Sequence, residues 1–105
     1  MTDAARPGFR HVVLFRWKPE ATTEQRRAAI EALQRFAKDI AHLGHLTVGE
    51  DAGLAEQNAD VAVVVDFARR EDYLEYAKHP LHLELIEKYL RPILAERTAV
   101  QHELS

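Results

Sequence analysis

Between Asp72 and His82 the chain reads Asp-Tyr-Leu-Glu-Tyr-Ala-Lys-His-Pro-Leu-His, which gathers Tyr73, Tyr76, His79 and His82 around Pro80. A helix running into that proline must end or kink, because Pro80 has no amide to donate and disfavours helical geometry at His79. Two phenols and two imidazoles therefore crowd a bend that a purely structural helix does not need. Imidazole changes charge near neutral pH, and a phenol can hold a developing oxyanion, so the chemistry such residues offer is proton transfer next to a carbonyl. That chemistry requires no metal and no cofactor. A further imidazole, His11, stands alone among apolar and aromatic residues on an early strand.

Two other readings use the same residues. In the structural one, His79 and His82 bond the backbone groups left free at the helix break, Tyr76 packs its ring on the sheet, and His11 is a core histidine satisfied by a neighbour. In the metal-binding one, His11, His79 and His82 converge on a divalent ion, but their spacing matches no recognised ligand pattern.

The chain has to position these groups with 105 residues, 47% of them hydrophobic, which suits one domain with one core. Charged residues of both signs make up 30%, and the net charge of -3 provides no basic footprint for nucleic acid or an anionic membrane. The lack of cysteine removes disulfides, thiolate nucleophiles and thiolate metal sites. With no apolar segment of signal-peptide or membrane-spanning length, a cytoplasmic protein is expected.

Residues 1–8, closed by Pro7-Gly8, are expected to form a flexible leader, with the folded domain spanning 9–105. From Arg10 to Lys18, alternation places His11, Val13, Phe15 and Trp17 on one side of a strand. Thr22 and Gln25 offer a capping box for a first helix, whose apolar stripe includes Ile30, Leu33, Phe36, Ala37 and Ile40. Gly44 is expected to end that helix with positive φ, and His42 and His45 are expected at its surface. A weak strand follows over His45–Asp51. The run Val61–Val65 predicts a strand within Asp60–Phe67 that is covered on both faces. A second helix opens at Arg69-Arg70-Glu71-Asp72, breaks at Pro80 and restarts along Leu81, Leu85, Tyr89 and Ile93; a last strand runs from Arg97 to Leu104. The order strand, helix, strand, strand, helix, strand predicts an α+β, ferredoxin-like βαββαβ fold with helices on one face of a four-stranded antiparallel sheet. No segment remains to cover the open face, so a second copy of the chain is expected there.

The strand His11-Val12-Val13-Leu14-Phe15-Arg16-Trp17-Lys18-Pro19, the run Asp60–Phe67 and the bend Tyr76-Ala77-Lys78-His79-Pro80-Leu81-His82 together resemble the stress-responsive dimeric α+β barrel (Dabb) family. The resemblance covers about residues 9–104. It implies a homodimer in which two four-stranded sheets pack face to face. Some members are stress proteins without an assigned reaction; others are polyketide cyclases of the olivetolic acid cyclase type, in which a tyrosine and a histidine form an acid-base pair. Carried over by motif, that pair corresponds to Tyr76 and His82, with His11 lining the same cavity. The cyclases' further histidine at the start of the third strand has no counterpart, since Asp60-Val61 stands there. The implied pocket lies between helices and sheet, with Val13, Phe15, Trp17, Tyr73 and His79 around it and a small aromatic or β-diketo compound as its ligand. Phe15 and Trp17 also suit the core. Two functional classes follow: a non-catalytic, dimeric stress-response protein, or a cofactor-independent cyclase, lyase or isomerase.

Overall fold

A computed structural model describes residues 8–104. The leader expected over residues 1–8 lies outside these except for Gly8, whose carbonyl accepts a 2.8 Å hydrogen bond from the Leu104 amide. Strand β1 is Phe9–Trp17, and its alternation sends Phe9, His11, Val13, Phe15 and Trp17 into the interior. Helix α1 is Thr23–Asp39. Its capping box forms as expected, with the Gln25 amide donating to the Thr22 hydroxyl at 3.0 Å and the Thr22 amide donating to the Gln25 side chain at 2.9 Å. The helix buries Ala29, Ala32, Leu33 and Phe36, and Ile40 follows them into the core.

Strands β2 (Gly44–Glu50) and β3 (Val61–Phe67) come next, then helices α2 (Arg70–Ala77) and α3 (Pro80–Leu85), and finally strand β4 (Leu94–Glu103). The strands form one antiparallel sheet in the order β2-β3-β1-β4, a ferredoxin-like α+β arrangement. The two central strands are tied at one end by Asp60. Its amide donates to the Phe15 carbonyl at 2.8 Å, and its carboxylate accepts from the Trp17 amide at 2.8 Å. This bond to the end of β1 explains an acidic residue at the head of an apolar strand.

Strand β3 buries Val61, Val63, Val65 and Phe67 against the helices, while Ala62, Val64 and Asp66 are half-buried on the opposite side. That opposite side also carries Val12, Leu14 and Val100, and among the described residues no helix covers it; Leu14 and Val100 are 40% and 54% exposed. Arg10 and Asp66 cross it as a bidentate pair at 2.6 and 2.9 Å, which holds the Asp66 carboxyl below its ordinary range.

Two local expectations are corrected. Gly44 does not have positive φ, which among the described glycines belongs to Gly53. It begins β2, where a Cβ would lie 2.7 Å from Phe67 Cδ1 and 2.8 Å from the Asp66 carbonyl, so close approach of the neighbouring strand selects glycine there. Flanking it, His42 and His45 are exposed as expected. The second correction concerns the C-terminal helix. The helical ladder widens into a π turn over Ile86–Leu90, tightens into a 3-10 turn over Arg91–Ile93, and enters β4 at Leu94, three residues before the expected Arg97. Pro92 accounts for this, since it cannot donate to the carbonyl one turn back and its ring collides with that carbonyl.

Substituting Gly44→Ala is expected to destabilise the fold by about 1–3 kcal/mol, because rigid backbone and a buried ring must yield. Gly49→Ala, where nothing lies within 4 Å of the added carbon, is expected to be neutral or stabilising by up to about 1 kcal/mol. Urea denaturation of the two variants beside the wild type checks the contrast.

Candidate functional site

The break between α2 and α3 leaves backbone groups without helical partners, and two histidines take them up. His79, in extended conformation before Pro80, accepts from the Leu81 amide through Nδ1 at 3.1 Å and so caps α3. His82 Nδ1 lies 3.1 Å from the Ala77 carbonyl oxygen. A carbonyl can only accept, so Nδ1 carries the proton, and in the neutral ring the lone pair is on Nε2. The same contact therefore closes the helix break and fixes which nitrogen of His82 can act as a base. Its ring stacks on Phe36 at 5.7 Å and lies 4.6 Å from the ring of Tyr76.

His11 is 2% exposed. Its Nδ1 lies 2.8 Å from Gln101 Nε2, directly across the β1-β4 ladder. An amide nitrogen donates, so His11 carries its own proton on Nε2. The ring of Tyr73, tilted at 5.0 Å, and that of Tyr76, edge-on at 5.7 Å, flank it. Burial first, then the cation of Arg97 and the neighbouring His82, push its pKa down to about 4. Burial also holds His82 below the ordinary histidine value, opposed by the bond to Ala77. The Tyr76 phenol is pushed up by burial, so at neutral pH it is a donor and never a phenolate.

His11, Tyr76 and His82 share the wall of a cavity of about 70 Å3 between sheet and helices. Of the expected pocket residues, Val13 and Phe15 line it; Trp17, Tyr73 and His79 do not. Trp17 is 5% exposed and stacks on Phe15 as core. Tyr73 packs among Phe9, His11 and Phe67, and His79 sits edge-on to Phe36 at the bend. The three imidazoles proposed for a metal do not gather: among the described residues no group of three or more His, Cys, Asp or Glu side chains is placed to hold an ion.

Sequence reasoning missed Arg97 and Gln101. Both lie on the helix side of β4, Arg97 opposite Phe15 and Gln101 opposite His11. The strand's alternation grouped them on one face, but which face required knowing the pairing register. Ile86 and Leu90 bring the π turn to the cavity wall, which the periodicity of the segment does not distinguish from ordinary helix packing.

The profile of the stress responsive A/B barrel domain family matches residues 9–104. Among solved structures, a dimeric ferredoxin-like protein of unknown function from Thermobifida fusca is 38% identical, with a TM-score of 0.84 over 93% of this chain and 92% of that one. A Dabb family protein from Mesorhizobium loti superposes with a TM-score of 0.76 at 16% identity, covering 91% of this chain and 95% of that one. The hydroxynitrile lyase of Passiflora edulis does so with 0.79 at 19% identity, covering 93% and 94%, and at that identity the likeness is one of fold. No curated protein matches the chain. Among the described residues no helix is long and apolar enough to cross a membrane.

The lowered pKa of His11 makes stability depend on pH. The unfolded chain binds the proton near the ordinary value of 6.5 and the folded one only near about 4, so protonation favours unfolding. The contribution is complete above pH 6.5, is lost as pH falls toward about 4, and levels off below. The loss is expected to reach about 3 kcal/mol from His11, with His82 adding in the same direction. Urea unfolding of wild type between pH 7 and pH 4 should show the fall, and His11→Gln should flatten it.

Proposed function

Because the chain belongs to the stress responsive A/B barrel domain family, whose fold brings a tyrosine and two histidines to one cavity here, we propose that it is a cofactor-independent enzyme for proton transfer next to a carbonyl. The observation that carries this reading is the lone pair on His82 Nε2, fixed by the Ala77 bond, beside the protonated Tyr76 in the same cavity wall. In the reaction, His82 Nε2 takes a proton from the carbon adjacent to the substrate carbonyl. The C–H electron pair becomes the carbon–carbon double bond of an enolate, and the carbonyl π pair moves onto oxygen. The Tyr76 hydroxyl, with the His11 Nε2–H assisting, donates hydrogen bonds to that oxyanion. Return of the proton to the same or another carbon completes an exchange or an isomerisation; a lyase reaction would follow if the enolate re-formed its carbonyl, made a carbon–carbon double bond to the β carbon and expelled a β substituent, which leaves with its bonding electron pair.

Cavity size selects among the activities expected for this resemblance. At about 30 Å3 per water, the space of about 70 Å3 holds about two waters, well below the several hundred Å3 of a pocket for a drug-sized ligand. Small aliphatic carbonyl compounds are thus favoured over aromatic polyketides, and isomerase or lyase chemistry over ring closure.

The working unit is proposed to be a homodimer joined through the open sheet face. Val12, Leu14, Val64 and Val100 there need a second layer that the described residues do not supply. The Thermobifida fusca protein, similar over nearly its whole length, is described as dimeric. The cavity lies on the other side of the sheet, so the two activities of the protein, assembly and chemistry, occupy opposite faces.

Proton exchange with deuterated solvent, followed by NMR on small ketones and oxo acids, tests the catalytic reading. Wild type is expected to accelerate exchange at the α carbon, His82→Gln to lose about 10²- to 10⁴-fold of that acceleration while remaining folded by circular dichroism, and Tyr76→Phe to lose part of it. Exchange no faster than buffer, or equally fast in His82→Gln, would sink the reading. The dimer is checked separately by sedimentation: Leu14→Lys is expected to shift the wild-type dimer toward monomer, and a monomeric wild type would rule it out.

A further inference from the structure

Resting on the reading of the cavity as a proton-transfer site, we infer that its substrates are short oxo acids whose carboxylate is bound by Arg97 at the cavity mouth. Four polar side chains line this space, His11, Tyr76, His82 and Arg97, and no carboxylate does. Arg97 is exposed, on the helix side of edge strand β4 opposite Phe15, where it meets both solvent and the cavity.

Among the described residues it has no counter-ion. The acidic side chains nearby in sequence or across the ladder are engaged elsewhere: Glu96 with Arg16 at 2.8 Å on the opposite side of the strand, and Glu103 with Arg70 at 3.0 Å. The other ion pairs of the described residues are Arg10 with Asp66, Arg69 with Asp72 and Arg91 with Glu87, and Arg97 is in none. The groups it faces across the cavity are two imidazoles and a phenol, all of which burial keeps neutral at neutral pH. A guanidinium offers five N–H donors in a fork that suits carboxylate, so the complementary ligand is an anion at the mouth with an apolar, carbonyl-bearing body inside.

The size of the space agrees with that division. A space of about 70 Å3, about two waters' worth, holds no more than a carbonyl with two or three carbons, leaving the carboxylate outside against Arg97. The same cation stabilises an enolate forming within the cavity, so one residue would both select the substrate and lower the charge cost of its reaction.

The experiment titrates pyruvate, 3-oxobutanoate and 4-oxopentanoate, each beside its methyl ester, into wild type, Arg97→Gln and Arg97→Lys, with binding read by NMR chemical shifts of the histidine rings. At least one acid is expected to bind wild type about tenfold more tightly than its ester, a preference that Arg97→Gln abolishes and Arg97→Lys partly keeps. Equal binding of acid and ester, a preference that persists in Arg97→Gln, or no binding by any acid overturns the inference. Solvent exchange on the neutral esters, measured in the same samples, separates this from the catalytic reading. Exchange that depends on His82 but not on charge keeps the enzyme and discards the oxo acid; acid binding that depends on Arg97 without exchange does the reverse.

Discussion

The bond from His82 Nδ1 to the Ala77 carbonyl is the constraint on which the cavity depends. It exists because Pro80 breaks one helix into two and leaves a carbonyl that needs a donor. Satisfying that carbonyl costs the imidazole one nitrogen and one tautomer, and so commits the other nitrogen to the lone pair. A residue required by the backbone at a bend thereby also keeps a free lone pair on its other nitrogen. The structural and chemical readings of His82 are then two consequences of a single contact.

The sheet sets the electrical environment of that imidazole. Strand β1 brings His11 under Tyr73 and Tyr76, and Gln101 from the neighbouring strand holds its Nδ1. Burial keeps both imidazoles neutral and the phenol protonated, so the interior carries no net charge of its own. The ion pairs of the protein lie at its surface, including Arg10 with Asp66 on the far side of the same strands. A neutral wall with polar tips and a cation at its edge is suited to a charge that appears only during reaction.

Much of this arrangement was legible in the chain. The alternation from His11 to Trp17 identified the buried side of β1, the Thr22–Gln25 box placed the start of α1, and His79-Pro80 placed the break. What stayed hidden depended on distant pairings. Gly44 looked like a helix terminator because glycine after a helix commonly is one, whereas its reason is a phenylalanine ring on the neighbouring strand. Pro92 was passed over inside an apolar stripe, so β4 began too late. Arg97 and Gln101 could not be assigned to the cavity side until the ladder with β1 fixed their register. Trp17, Tyr73 and His79 were grouped with the pocket by residue type, while packing gives them to the core and the bend.

The π turn over Ile86–Leu90 also has a bearing on how the family can vary in length. It holds one more residue per hydrogen-bonded turn than an α-helix and leads almost directly into β4. A deletion there that restored an ordinary turn and passed its offset to the strand would slip the ladder by one. Because side chains alternate, that slip would carry Arg97 and Gln101 to the opposite side of the sheet and bring Glu96 and Thr98 toward the cavity. Insertions and deletions in these five positions are therefore constrained by the identity of every residue that follows, while the exposed 51–58 connection can change length without reassigning a face.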